Sequence, residues 1–210
     1  MKSTAFTLIE LIIVIVIAGI LAAVMIPHLE RDSLREAVNQ TIRHIQYTQH
    51  LAMNSDMFDA NDMNWSRKYW KVAFRTSKNC YSIYSDRDKD FLNDANESAI
   101  DPLTKVRLYA DNNCNDSSLN NNALLLQKNY GVDTITLTIP TGSTPHTNDC
   151  NTNTKKYIAF DNLGRPHTSV TTAVSGIMKN DCLVTLFSGT RSAIVRVSAE
   201  TGYVKLLSLN

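Results

Sequence analysis

Three hydropathy regimes follow one another along this chain. The first is an apolar run: from Leu11 to Ile26 no side chain is charged, and counted back to Phe6 the run approaches the roughly 20 residues that span a bilayer. The second, beyond Pro27, is a stripe. Leu34, Val38, Ile42, Ile45, Gln49 and Ala52 recur at three- and four-residue steps, with Arg35, Glu36, Arg43 and Gln46 between them, as on a helix with one apolar face. Together the two regimes predict one helix over residues 6–53, roughly 70 Å long at 1.5 Å per residue. Gly19 and Pro27 are its expected weak points, because glycine lowers helix stability and an interior proline removes a hydrogen bond.

In the third regime the period changes to two. Tyr69-Trp-Lys-Val-Ala-Phe-Arg75 and Cys80-Tyr-Ser-Ile-Tyr-Ser85 alternate as paired strands do, across the turn-like 76–79. Further strands are predicted at 106–109, 123–126, 134–139, 157–160, 183–187, 193–197 and 203–207, the last two joined by Ser198-Ala-Glu-Thr-Gly202. Two tracts rich in Asn, Thr and Ser, 111–122 and 141–155, predict exposed loops. The expected fold class is α+β: a long N-terminal helix, its apolar first half spanning the membrane, packed against an antiparallel β-sheet globular head. The expected divisions are a short leader at 1–5, a transmembrane half of the helix at 6–27, an amphipathic half at 28–56 and a β-rich globular domain at 57–210.

Composition narrows the picture. A chain of 210 residues, 43% of them hydrophobic, can bury one core besides the N-terminal segment. Its 21 basic and 20 acidic side chains nearly cancel, which argues against a strongly electrostatic nucleic-acid binder. The four cysteines, Cys80, Cys114, Cys150 and Cys182, follow the apolar segment at wide spacing without a C-x-x-C pair, as structural disulfides in an oxidising compartment would. Three connectivities are open. The pairing expected is Cys80 with Cys114 and Cys150 with Cys182, each stapling a polar loop to a strand.

Little in the chain suggests catalysis. The five histidines are dispersed, and there is no H-E-x-x-H, G-x-S-x-G or glycine-rich phosphate loop, so no enzyme is expected. One run does have metal-ligand spacing. Asp86, Asp88, Asp90, Asp94 and Glu97 occupy positions one, three, five, nine and twelve of a twelve-residue window, the oxygen-ligand spacing of an EF-hand-type loop, with calcium as the candidate cofactor. Phe91 stands where such loops place the glycine of their sharp turn, which predicts that this backbone feature is missing. The alternative is a solvated acidic turn screened by Arg87 and Lys89. Trp65, Tyr69, Trp70, Phe74, Tyr81 and Tyr84, near Arg67, Lys68, Lys71 and Arg75, read either as a stacking platform for single-stranded nucleic acid or, preferentially, as a strand pair packed on a helix.

Glu10 is the anomaly in the apolar run, since a carboxylate in a membrane helix costs about 2.5–3.5 kcal/mol on insertion scales. It also interrupts what would be the core of a removable signal peptide over residues 1–26, and Leu21-Ala22-Ala23 makes a poor cleavage site. A short leader ending in Ala5, Phe6 directly after it, Thr7-Leu8-Ile9-Glu10 and then the apolar helix with Gly19 and Pro27 resemble the type IV pilin superfamily, which includes type IV pilins and type II secretion pseudopilins. Ala5 departs from the glycine usual before the cut. The resemblance implies that a prepilin peptidase cleaves between Ala5 and Phe6 and N-methylates Phe6, and that Glu10 then neutralises the new amine of a neighbouring subunit.

The later motifs Tyr157-Ile-Ala-Phe-Asp-Asn-Leu-Gly164 and Ala193-Ile-Val-Arg-Val-Ser-Ala-Glu-Thr-Gly-Tyr-Val204 are similar to the GspH/FimT-like minor pilins and pseudopilins, whose terminal hairpin closes a two-sheet domain. The likeness implies a structural minor subunit of a pilus or secretion pseudopilus, held in the inner membrane with its head in the periplasm and then built into a fibre. Its partners would be other pilin or pseudopilin subunits, the peptidase, an inner-membrane assembly platform and the bilayer. The alternative is a DNA-uptake or adhesion pilin that binds its ligand through the head, DNA being the less favoured partner.

Overall fold

The computed structural model describes residues 7–25, 32–115, 118–171 and 176–210. The chain divides into two compact units, Met1–Asp32 and Ser33–Asn210.

The first unit contributes one helix, α1 (Leu8–Met25). Leu8, Ile9, Leu11 and every large aliphatic side chain from there to Leu21 stand exposed all round it, so this helix has no core of its own. The helix continues through Gly19 without interruption, while Pro27 lies outside the described residues. Among the described residues no helix is long and apolar enough to cross a membrane. At 1.5 Å per residue the 18 residues of α1 measure about 27 Å, just under the roughly 30 Å of a hydrocarbon core. The expected spanning segment 6–27 runs into residues outside the described ones, and the single helix expected over 6–53 is corrected: α1 and α2 are separate helices, and Asp32, directly before α2, is not helical.

The second unit is built on α2 (Ser33–Met53). Leu34, Ala37, Val38, Thr41, Ile45, Thr48 and Ala52 form its buried face, close to the predicted stripe, while Ile42 and Gln49 sit at its margins. Thr41 and Thr48 are accommodated there because their hydroxyls donate to the carbonyls of Ala37 and His44 one turn back. Within the stretch 28–56, expected as the amphipathic half of the helix, α2 belongs to the same compact unit as the sheets.

Two four-stranded antiparallel sheets lie against α2. The first has the order β2-β1-β4-β5, with β1 (Trp70–Arg75), β2 (Cys80–Ser85), β4 (Tyr157–Phe160) and β5 (Pro166–His167). The second has the order β3-β6-β7-β8, with β3 (Thr134–Thr138), β6 (Cys182–Ser188), β7 (Arg191–Val197) and β8 (Val204–Leu209). α2 touches β1 and β4 of one sheet and β6, β7 and β8 of the other. The core between them includes Ile45, Val72, Tyr81, Ile83, Phe160, Val184 and Val195.

Two predicted strands are corrected. Residues 123–126 form a 3-10 turn leading into α3 (Leu126–Tyr130). The Asn121 side chain accepts from the Ala123 amide at its start, and Gly131, at φ 65°, ends α3 in the left-handed conformation. Residues 106–109 form no ladder: Arg107 makes an isolated bridge with Ile100, and Leu108 accepts from the Ile83 amide and donates to the Ala99 carbonyl. The described residues of both polar tracts are loops, each tract tied down by a disulfide, Cys80–Cys114 and Cys150–Cys182.

Candidate functional site

Two regions concentrate the residues singled out from the sequence. At the start of α1, Thr7 lies just before the first helical residue. The Glu10 Oε2 atom accepts from both the Thr7 amide and the Thr7 hydroxyl at 2.8 Å, and the Glu10 amide donates to Thr7 Oγ1 at 3.4 Å. This is a capping box, in which residue and partner satisfy each other's orphan donors at a helix N-terminus. The Thr7-x-x-Glu10 spacing is the sequence signature of such a box, a second role for Glu10 besides its charge. Ala5 and Phe6 lie outside the described residues.

The second region is the acidic loop 86–97, which leaves β2 and returns beside it. Its ends are pinned by the bridge between Tyr84 and Ser98 and by the Ala99 amide donating to the Ile83 carbonyl at 2.9 Å. Inside the loop, Asn93 anchors the chain to the head, its Nδ2 donating to Ser82 Oγ and to the Ala110 carbonyl. Asp86, Asp88 and Glu97 converge, each offering an oxygen within 4.8 Å of the others, and Asp88, Asp90 and Asp94 form a second such group sharing Asp88. All five predicted acids are thus brought together, in two overlapping triads.

Their environments differ. Asp88 and Asp90 are exposed, and their carboxylates accept from amides two residues on. Asp86 is 0% and Glu97 6% exposed. Glu97 Oε1 accepts from the amides of Arg87, at 2.6 Å, and Asp88, at 3.2 Å. Burial nevertheless pushes its pKa up, and the charges of Asp88 and Asp86 add to that effect. Lys71 of β1 lies beneath the loop, its Nζ 3.6 Å from Asp86 Oδ2 and donating to the Arg67 carbonyl at 3.1 Å. Burial lowers its pKa, opposed by Asp86.

Phe91 overturns the expectation drawn from the missing glycine. The left-handed turn is present: Phe91 has φ 68° and Lys89 φ 67°. A side chain in that region costs on the order of 1 kcal/mol or more, and contacts outside the turn hold both residues there. The Arg67 guanidinium stacks 4.3 Å from the Phe91 ring centroid, and Lys89 Nζ bonds Asp62 at 3.0 Å.

A family model decides the character of the N-terminal region. Residues 1–26 match the prokaryotic N-terminal methylation motif. The chain carries a prepilin-type signal. Comparison with curated proteins and with solved structures returns no match. The motif is of the type IV pilin prepilin kind, and its match is confined to the N-terminal segment. It covers Ala5, Phe6 and Glu10, and so encloses the Thr7–Glu10 capping box.

The aromatic face, by contrast, offers no platform for bases. Tyr69, Trp70, Phe74, Tyr81 and Tyr84 are buried, and Trp65 packs edge-on against Phe58 and Tyr69. The nearby cations are engaged as well: Lys68 with Asp62 at 3.2 Å, Lys71 with Asp86, and Arg75 with Asn112 Oδ1 at 2.7 Å. Stacking requires exposed ring faces, so these rings serve the strand pair.

Proposed function

We propose that this protein is a structural, non-catalytic minor subunit of a type IV pilus or type II secretion pseudopilus. It is cut between Ala5 and Phe6, N-methylated on Phe6, held in the inner membrane by its N-terminal segment with the head outside, and then assembled into the fibre. The methylation motif over residues 1–26 carries this reading. Three features of the rest of the molecule support it. α1 is apolar all round and has no core to enter, as suits a helix whose partners are lipid first and neighbouring helices later. Both disulfides fit an oxidising compartment. The head is a compact two-sheet body of the kind the terminal-hairpin resemblance implies.

Glu10 contributes to assembly by meeting the cationic Phe6 amine of the next subunit, a pair that at about 4 Å and an effective dielectric near 20 gains roughly 4 kcal/mol before desolvation is subtracted. The test is to follow Glu10→Ala through cleavage, membrane insertion and shearing. The variant should be processed and found in the membrane yet missing from sheared fibres. Undiminished incorporation would overturn the role of Glu10, and an uncleaved wild-type chain would overturn the whole reading.

A further inference from the structure

The acidic loop contains an electrostatic imbalance that its own protein contacts do not resolve. Buried polar atoms normally find partners, yet among the described residues neither Asp86 oxygen has a hydrogen bond, nor does Glu97 Oε2 or Asn93 Oδ1. These orphan acceptors gather in one twelve-residue loop. Three carboxylates converge in the inner triad, two of them more than nine-tenths buried, and among the described residues the cation that meets them is Lys71, its Nζ 3.6 Å from Asp86 Oδ2. Lys71 offsets one negative charge. Two remain, and Glu97 Oε2 has no hydrogen-bond partner.

From this geometry we infer that loop 86–97 is a calcium site, with Asp86, Asp88 and Glu97 as its protein ligands. A divalent cation supplies the two charges the triad lacks and gives the orphan oxygens of Asp86 and Glu97 a partner. An all-oxygen, carboxylate-rich set selects a hard cation. Calcium fits better than magnesium because the ligands come from a loop with mixed exposure, whereas magnesium demands a near-ideal octahedron. The ligand set differs from that of an EF-hand. Asp90 turns away with Asp94 into the outer triad, so the ion is held by the first, third and twelfth positions, with water completing its shell. Lys71 is a positioning residue that orients Asp86 from below. Bound calcium ties the end of β2, through Asp86, to the returning chain at Glu97, and so fixes the exposed arm carrying Phe91 and Leu92.

The experiment uses the full-length chain in detergent, with equilibrium dialysis against radioactive calcium alone and melting in calcium, magnesium or chelator. One calcium per chain is expected, with sub-millimolar affinity, and a melting temperature several degrees higher in 1 mM calcium than in chelator or 1 mM magnesium. Asp88→Asn, at an exposed position, should fold normally and bind at least tenfold more weakly, and Glu97→Gln should abolish binding. Asp133→Asn, far from the loop, should bind as the wild type does. Absence of bound calcium at 5 mM free ion overturns the assignment, as does affinity unchanged in Asp88→Asn. Fibre assembly plays no part in either readout, so the result is independent of the proposed function.

Discussion

A β-carbon on Gly202 would lie 2.6 Å from the carbonyl oxygen of Gly164. The two glycines belong to different sheets' turns, Gly164 after β4 at φ 78° and Gly202 before β8 at φ 66°. Gln49 of α2 closes the contact, its Nε2 donating to the Gly164 carbonyl at 2.8 Å and the Thr201 carbonyl at 2.9 Å. Asp161 holds the first turn in shape: Oδ1 accepts from the amides of Leu163 and Arg165, and Oδ2 from Arg165 Nε at 2.7 Å.

Gly202→Ala should therefore destabilise the head by about 2–4 kcal/mol, the sum of a left-handed backbone and an overpacked contact against main chain. Gly189→Ala is the control, since Gly189 shares the positive φ, at 57°, and has nothing within 4 Å of its would-be Cβ. Urea unfolding of both variants checks this. Equal losses would show that backbone conformation alone, and not the approach to Gly164, sets the requirement.

The disulfides close loops of similar size, with separations of 34 and 32 residues. Replacing either pair by alanine should lower stability by about 3–4 kcal/mol in the chain-entropy model. Thermal melts of Cys80→Ala/Cys114→Ala and Cys150→Ala/Cys182→Ala, set beside the wild type in reductant, measure it. A reduced wild type as stable as the oxidised one would remove the bridges from the list of what holds the loops 111–122 and 141–155.

Acid should weaken the head through His44. Its Nδ1 lies 2.7 Å from the Tyr81 hydroxyl, and burial holds the imidazole down at about 4, against an upward pull from Asp101 and with a further downward push from Arg43. The unfolded chain takes up this proton near pH 6.5. The stabilisation is therefore complete above about pH 6.5 and is lost as pH falls from there toward 4, on the order of 3 kcal/mol in all. Urea midpoints of wild type and His44→Gln at pH 7 and 4.5, both in chelator, should converge at the lower pH. Parallel pH profiles would assign the acid sensitivity to other groups.

Glu10→Gln separates two roles that Glu10→Ala removes together. Glutamine can accept from the Thr7 amide and so keeps the capping box, but it carries no charge. If ion pairing with the next subunit drives assembly, Glu10→Gln should be lost from sheared fibres as completely as Glu10→Ala, while Thr7→Val is incorporated normally. Fibres that accept Glu10→Gln and reject Thr7→Val would make the helix start, and not the charge, the decisive feature.

Much of the head was legible because its strands are short runs rich in β-branched and aromatic residues bounded by turn residues, although β2 is buried at every position and only strands such as β7 alternate. Trp70–Arg75 and Cys80–Ser85 pair as the adjacent strands predicted, from Trp70 opposite Ser85 to Arg75 opposite Cys80. The run Ala123-Leu-Leu-Leu126 misled because a short apolar segment has no period to distinguish strand from helix. There Asn121 and Gly131, flanking it, decide the outcome. β5 is two residues long and leaves no pattern to read. In the acidic loop the ligand spacing was visible, but the burial of Asp86 over Lys71 was not. That contact joins Lys71 of β1 to a residue fifteen positions on, just past the end of β2, and no local periodicity encodes it. Likewise Phe91 adopts a glycine's backbone angle because Arg67, more than twenty residues away, covers its ring.

The Gln49 amide also has a mechanical consequence. Tension drawn along α2 would load the Gly164 and Thr201 carbonyls together. The two sheets would then share the force in parallel, and neither could peel away before the other. A head built this way should fail abruptly, as one body, at a force set by both turns.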